Sequence, residues 1–261
     1  MHPISLAAGF DDVVIRLRSS GSVFAEEEAA LLIEAATGGG DLDALVALRV
    51  AGKPLEQILG WAAFRGLRIA VAEGVFVPRS RTSLLVDEAL SRAPGVVLDI
   101  CCGSGAAGAA VEAERPEVEV VASDLDPRAV ACARTNLRHP DRVFEGDLFD
   151  ALPSSYRGRF DVIVANAPYV PTDEIEFMPQ EARLHEPTMA LDGGADGVAI
   201  QRRVARGAPA WLAPGGALII ETSVRQADLT AALMADVGFS TRIRHDDDLD
   251  ATLVMGVDPY E

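Results

Sequence analysis

A chain of 261 residues with 49% hydrophobic and 24% charged content can bury a full core without disulfide or metal staples, and its composition is that of an ordinary globular enzyme. A net charge of −17 disfavours extensive nucleic-acid binding, because gripping a phosphate backbone requires neutralising it with Lys and Arg. No apolar run approaches the roughly 18 residues of a membrane span, no basic leader opens the chain, and Cys101, Cys102 and Cys132 lack disulfide or zinc-ligand spacing, so the expectation is a cytoplasmic protein with reduced thiols, no membrane and no metal.

Residues 1–58 read as helical. Ala25 to Ala36 sets Leu31, Leu32, Ala35 and Ala36 at helical spacing, with glutamates early and Gly38-Gly39-Gly40 as the stop. Asp41 caps a second helix carrying Leu42, Leu45, Val46 and Arg49, which ends at Gly52-Lys53-Pro54. Residues 59–80 change to short β-type runs, LRIAV and VFVP, divided by Glu73-Gly74, and predict a hairpin linking two domains.

From residue 81 to 261 strand and helix alternate. A helix over Ser80 to Ala93 precedes the buried strand VVLDI, which runs into Cys101-Cys102-Gly103-Ser104-Gly105 and a small-residue helix. The strand VEVVASD ends in Asp124; Asp126 and Pro127 then open a helix that stops near His139-Pro140. RVFEGD, FDVIVAN and ALIIET continue the pattern, which predicts a doubly wound α/β sheet. STRIRH and ATLVMG are separated only by Asp246 to Asp250, too short a connection for a helical crossover, so they pair antiparallel. Asp246 to Asp248 reads as a solvated loop tip.

Two loops carry the chemistry. At the first, glycines let the backbone approach a ligand, the next helix offers free N–H groups, and Asp124 can accept hydrogen bonds from ribose hydroxyls. Gly103, Gly105 and Gly108 match the dinucleotide-binding spacing, which does not choose between a nicotinamide dinucleotide and S-adenosylmethionine. The second loop, Asn166-Ala167-Pro168-Tyr169, puts an amide and an aromatic ring at a strand's carboxyl end, where ligands of open α/β sheets bind. A hydride-transfer enzyme has no evident use for that amide, and no Tyr–Lys or His–Asp pair for moving a proton stands out. Together with the terminal antiparallel pair, the loop favours the methyl donor. Five parallel strands and that pair resemble the seven-stranded class I S-adenosylmethionine-dependent methyltransferase fold.

The likeness extends to motifs. PLEQILG (54–60), VFVPRSRTSLLV (75–86), DICCGSG (99–105), GDLF (146–149), NAPY (166–169), EPTMAL (186–191), GADG (194–197) and APGG (213–216) occur in the order seen in the protein-(glutamine) methyltransferases of the HemK/PrmC family, which modify peptide-chain release factors. The resemblance covers residues 20–257. It implies a helical substrate-docking domain over 1–58, here shortened, a β-hairpin linker over 59–80, and a methyltransferase domain over 81–261. The cofactor it implies is S-adenosyl-L-methionine, and the partner is a protein substrate, a release factor first.

In that family the loop reads Asn-Pro-Pro-Tyr, and the substrate amide is held by the asparagine oxygen and the next residue's carbonyl. These groups map to Asn166 and Ala167, with Pro168 stiffening the platform and Tyr169 packing on the amide. Alanine for proline keeps the carbonyl and loosens φ. Cofactor contacts are expected from Asp99, Cys101, Gly103, Ser104, Gly105, Asp124, Asp147, Leu148 and Asn166, with Cys101 standing where the family has glycine. Asp99 either orders the glycine turn or approaches the donor's amino group. Asp147 either contacts the adenine side or caps a turn. Arg79, Thr82 and Glu186 are expected to orient the substrate, Glu186 and His185 by organising the loop above the site.

The expected reaction is methylation of a protein glutamine amide. Rival readings are methylation of an adenine exocyclic amine, for which a related loop is used, or of a small-molecule amide or amine. The non-enzymatic rival is a module that holds the cofactor without turnover.

Overall fold

Helical spacing and glycine or proline stops divide the first part of the chain into α1 (Pro3–Ser19), α2 (Ala25–Thr37), α3 (Leu42–Val50) and α4 (Leu55–Leu59) in a computed structural model, which describes residues 3–258. Asp41 caps α3 by accepting the Asp43 and Ala44 N–H groups at 3.0 and 3.4 Å. Leu17, Leu32 and Val46 are fully buried where α1, α2 and α3 meet, with Leu45, Leu55 and Ile58 packed against them. Arg49 leaves this core on its polar side. It donates to both oxygens of Glu28 at 2.8 and 2.9 Å, to the Lys53 carbonyl at 3.0 Å and to Glu181 at 3.1 Å.

The hairpin lies earlier than the sequence suggests. β1 (Trp61–Phe64) pairs antiparallel with β2 (Leu67–Ala70), so LRIAV folds back on the preceding residues instead of forward on VFVP. The turn is Arg65-Gly66, with φ of 48° and 77°, the left-handed pair a two-residue hairpin requires. Glu73-Gly74 forms a separate turn, and Val75 to Pro78 lies outside any strand, with Val75 and Val77 buried. Asn136 fastens the hairpin to the rest of the chain: its Oδ1 accepts the Ala70 N–H at 2.8 Å, and its Nδ2 donates to the carbonyls of Ala70 and Ser104 at 2.9 and 2.8 Å.

The larger layer follows as α5 (Ser83–Ser91), β3 (Val96–Ile100), α6 (Ala106–Glu114), β4 (Glu119–Asp124), α7 (Pro127–Asn136), β5 (Val143–Glu145), β6 (Phe160–Ala165), α8 (Gln180–His185), α9 (Ala199–Gly207), β7 (Leu212–Thr222), α10 (Ala227–Ala235), β8 (Ser240–Asp246) and β9 (Ala251–Val257). The seven-stranded sheet has the order β5-β4-β3-β6-β7-β9-β8. β3 to β7 are parallel, while β9 runs antiparallel to both β7 and β8. This is the expected doubly wound α/β sheet with its terminal antiparallel pair.

Alternation along each strand supplies both faces of the sheet. Val97, Val120, Val162 and Ile219 pack with α5, α6 and α7, whereas Leu98, Val121, Ile163 and Leu218 pack with α9 and α10. Strands covered on both faces read as continuous apolar runs, which is why VVLDI and FDVIVA were visible in the sequence. Among the described residues no helix is long and apolar enough to cross a membrane.

The Asn136 clamp yields a stability prediction. Asn136→Ala takes the partner from the Ala70 N–H and the Ser104 carbonyl, leaving the Ala70 carbonyl only the Cys132 thiol, and is expected to cost about 1–3 kcal/mol, read as a lower denaturant midpoint. A loss within about 0.5 kcal/mol, the range of a neutral surface change, would show that the clamp contributes nothing.

Candidate functional site

β3 pairs with β4 on one side and β6 on the other, so the chain connections leave the sheet in opposite directions and open a crevice at the strands' carboxyl ends. A cavity of about 590 Å³ lies there. It is bordered by Asp99, Cys101, Gly103 and Ser104 at and just past the end of β3, Asp124 as the last residue of β4, Asp147 and Leu148 after β5, and Asn166 to Tyr169 after β6. Arg79 and Thr82, from the segment before α5, and Glu186, just after α8, complete it.

The turn after β3 is built from left-handed residues. Cys101, Gly103 and Gly105 have φ of 59°, 55° and 75°, and Cys102 is held by its N–H to the Ser123 carbonyl at 3.1 Å. A side-chain carbon on Gly103 would meet nothing within 4 Å, so the backbone there is bare toward the cavity. Gly105 differs. It is not on the cavity wall, and a carbon on it would lie 3.0 Å from Ala133 Cβ. Its small size serves the close packing of α7 against the start of α6, a demand that glycine spacing does not distinguish from ligand contact.

Three carboxylates flank this turn. Asp124 Oδ2 accepts the Gly103 N–H at 2.8 Å and Oδ1 accepts the Asp126 N–H at 2.9 Å; burial raises its pKa against those two bonds. Asp99, 3% exposed, accepts the Gly108 N–H at 3.0 Å and thereby orders the first turn of α6, one of its two anticipated roles. Burial, helped by the nearby Asp124 charge and opposed by the Gly108 bond, pushes its carboxyl up to about 7. Asp147 ion-pairs at 2.7 Å with Arg203 of α9, which borders the cavity with Ile200. The thiols of Cys101 and Cys102 are raised by burial and by the neighbouring carboxylates, which keeps them protonated and unreactive.

On the opposite wall, Asn166 Nδ2 donates to Thr82 Oγ1 at 3.1 Å. Thr82 also hydrogen-bonds the Glu221 carboxylate at the end of β7. Arg81 binds the same carboxylate at 3.3 Å and donates to Tyr169 Oη at 2.6 Å, while Gln226 Nε2 holds the Tyr169 carbonyl at 2.9 Å. Burial first, and the Glu221 charge in the same direction, push the Tyr169 phenol up to about 12 against the Arg81 charge. Ala167 is buried, and the loop it belongs to is pinned by these outside bonds rather than by a second proline. Arg79 pairs with Glu186, whose pKa burial raises, and this contact ties the segment after α8 to the segment before α5.

Arg81, Arg203, Glu221, Gln226 and Asp250 were not anticipated. Arg203 sits on an amphipathic helix that reads as surface. Asp250 borders the cavity beside Thr252; of the expected loop tip before it, Asp247 and Asp248 are exposed, whereas Asp246 is half-buried as the last residue of β8, paired with Ala251. Glu221 had a usable signal: like Asp124 and Asn166, it is a polar residue ending an apolar strand run.

Comparison with known proteins gives the family and the fold. The methyltransferase small domain family model matches residues 67–195. A release factor glutamine methyltransferase of Geobacter sulfurreducens is 42% identical over 200 residues, covering 75% of this chain and 69% of that protein. One from Cereibacter sphaeroides is 37% identical over 203 residues, covering 76% and 72%. Among solved structures, a methyltransferase from Pyrococcus furiosus shares the fold with a TM-score of 0.57 at 18% identity, over 81% of this chain and 96% of that one.

Two outcomes are expected of the turn. Cys101→Gly removes a left-handed side-chain penalty of about 1–2 kcal/mol and returns a similar amount in unfolded-chain entropy, so stability should stay within about 1 kcal/mol. Gly105→Ala, pressed against Ala133, should cost about 1–3 kcal/mol; equal losses in denaturant melts would refute the distinction. Asp99 holds its proton up to about pH 7 in the folded chain and to about 3.9 when unfolded. Its stabilising contribution is therefore complete below the unfolded value and lost as pH rises through the folded one. Asp99→Asn keeps an acceptor for Gly108 and cannot ionise, so its melting temperature should gain on the parent between pH 5 and pH 8. A constant gap would show that Asp99 titrates normally.

Proposed function

This chain belongs to the release factor glutamine methyltransferases, and from that premise we propose that the cavity binds S-adenosylmethionine and presents it to a glutamine side-chain amide of a release factor. The observation that carries the proposal is the Asn166 amide at the cavity wall, with Nδ2 committed to Thr82 and Oδ1 thereby left for an acceptor N–H.

The residues present fit the cofactor. Gly103 provides a bare cradle, Asp124 has spare lone pairs for ribose hydroxyls, and the carboxyls of Asp99 and Asp124, whose pKa values burial raises, would be favoured in their ionised forms by a cationic donor. Leu148 and Ile200 supply apolar wall for a base. When bound, S-adenosylmethionine supplies an electrophilic methyl group carried on a sulfonium.

The remaining task is to make a carboxamide nitrogen attack. Its lone pair is delocalised into the carbonyl, so it is a poor nucleophile. Asn166 Oδ1 and the Ala167 carbonyl accept its two N–H hydrogens, fix its direction and favour the pyramidal form in which the lone pair is free. These bonds strengthen as positive charge develops on nitrogen, so they favour the transition state over the ground state. Tyr169 remains a neutral phenol, held by Arg81, and packs on the amide plane. No strong base is required, because an N-methylated, protonated amide is very acidic. Arg79 and Glu186 bind each other at the mouth and shape the entry for a peptide loop.

The deciding experiment is transfer of labelled methyl from S-adenosylmethionine to a release factor, with mass spectrometry locating the modified residue. The label should lie on a glutamine, and Asn166→Ala should lower kcat by about 10²-fold or more while cofactor affinity changes little. Label appearing only on nucleic acid or on a small amide would reject the protein substrate.

A further inference from the structure

The buried carboxylate of Glu221 has no part in the site as described so far beyond its neighbours. β6 and β7 are parallel with Ala165 opposite Ile220, so Asn166 and Glu221 are the next residues on adjoining strand ends. Glu221 is 2% exposed. Thr82 hydrogen-bonds it, Arg81 approaches one oxygen at 3.3 Å, and the other oxygen is buried without a partner. Thr82, 5% exposed, is in turn 3.1 Å from Asn166 Nδ2.

We propose that Glu221 is a positioning residue that dictates, through the Thr82 hydroxyl, which end of the Asn166 amide faces the substrate. The inference rests on the amide-methylating function proposed above and deepens it. The two ends of an asparagine amide are almost the same size, so packing alone does not select one. Burial pushes the Glu221 pKa up, while the Arg81 guanidinium 3.3 Å away and the Thr82 hydrogen bond favour the ionised form, and an ionised carboxylate can only accept. The single hydrogen of Thr82 therefore goes to Glu221, and toward Asn166 the hydroxyl can only accept as well. Asn166 must then present its NH₂ to Thr82, which turns Oδ1, the atom that has to receive a substrate N–H, to the other side. With the amide reversed, an NH₂ would confront the substrate's own NH₂ and no hydrogen bond would form. A purely stabilising role for Glu221 is disfavoured by its surroundings, because a buried carboxylate with one unpartnered oxygen is a cost to the fold.

The test uses the full chain with Glu221→Gln, Thr82→Val, Thr82→Ser and the Glu221→Gln/Thr82→Val double variant. Glutamine at 221 can donate to Thr82, which frees the hydroxyl hydrogen for Asn166 Oδ1 and permits the reversed amide. Three quantities are read: kcat for methylation of a release factor, S-adenosylmethionine affinity by calorimetry, and the ¹⁵N-edited side-chain amide signals of Asn166, assigned by their loss in Asn166→Asp. Glu221→Gln and Thr82→Val should each lower kcat by about 10–100-fold with cofactor affinity within about twofold, and Glu221→Gln should do so with no fall in melting temperature. Thr82→Ser should restore most of what Thr82→Val loses. The double variant should lose much less than the product of the single losses, as residues acting in one path do. The Asn166 signals should shift and exchange faster with solvent in Glu221→Gln.

Unchanged kcat and unchanged Asn166 signals in Glu221→Gln would overturn the proposal. So would activity lost only in step with melting temperature, or single losses that multiply. If the parent methylates no release factor while the Asn166 signals still respond to Glu221→Gln, the substrate assignment fails and the positioning role stands.

Discussion

The parallel pairing of β6 between β3 and β7 is the constraint on which the site depends. Main-chain hydrogen bonding sets the register, in which Ile100 and Ala165 end β3 and β6 side by side and Ala165 stands opposite Ile220 of β7. Cys101 and Asn166, just beyond the ends of β3 and β6, thereby border the cavity, and Glu221 lies beside Asn166 behind it. The glycine turn, the Asn-Ala-Pro-Tyr loop and Glu221 are thus brought together by backbone geometry, and side-chain bonds only refine their aim. Because the strands are covered by helices on both faces, slipping one of them would bury its polar end residues or expose its apolar ones, so the arrangement has no near competitor.

Electrostatics divide the cavity into two halves. On the glycine-turn side, Asp147 is paired with Arg203, while Asp99 and Asp124 have no cation beside them among the described residues and burial pushes both toward the neutral form. On the opposite side, Arg79 and Arg81 neutralise Glu186 and Glu221. A cation is thereby invited to one wall, while the other wall presents neutral hydrogen-bonding groups to an uncharged amide. The same division explains why the adjacent cysteines are quiet: a thiolate beside Asp99 and Asp124 would add negative charge where there is already an excess.

Much of this was legible in the sequence because chemistry and fold used the same signal. Asp124 and Asn166 stand out as polar residues that stop apolar runs, and the short gap between STRIRH and ATLVMG left antiparallel pairing as the sole option. Other features escaped for definite reasons. Alternating residues in LRIAV and VFVP show that both segments suit extended chain but not which neighbour each pairs with; the Arg65-Gly66 turn decided that. Gly105 carries the right spacing, yet whether a missing side chain makes room for a ligand or for Ala133 is a tertiary matter. Family resemblance draws attention to Thr82, but its partner Glu221 lies 139 positions away along the chain, beyond any local pattern.

The amino-terminal helices touch the mouth of the site directly. Arg49 of α3 reaches Glu181 of α8, and Gln57 of α4 donates to the carbonyl of His185 at 3.3 Å, immediately before Glu186. The helical module therefore forms part of the doorway and is not an appendage on a tether. For anyone building hybrid enzymes, the consequence is that exchanging these helices between relatives transplants half of a joint. A functional chimera would have to carry the matching 179–190 segment with them, and the natural seam for recombination lies within the catalytic half of the chain rather than at the hairpin.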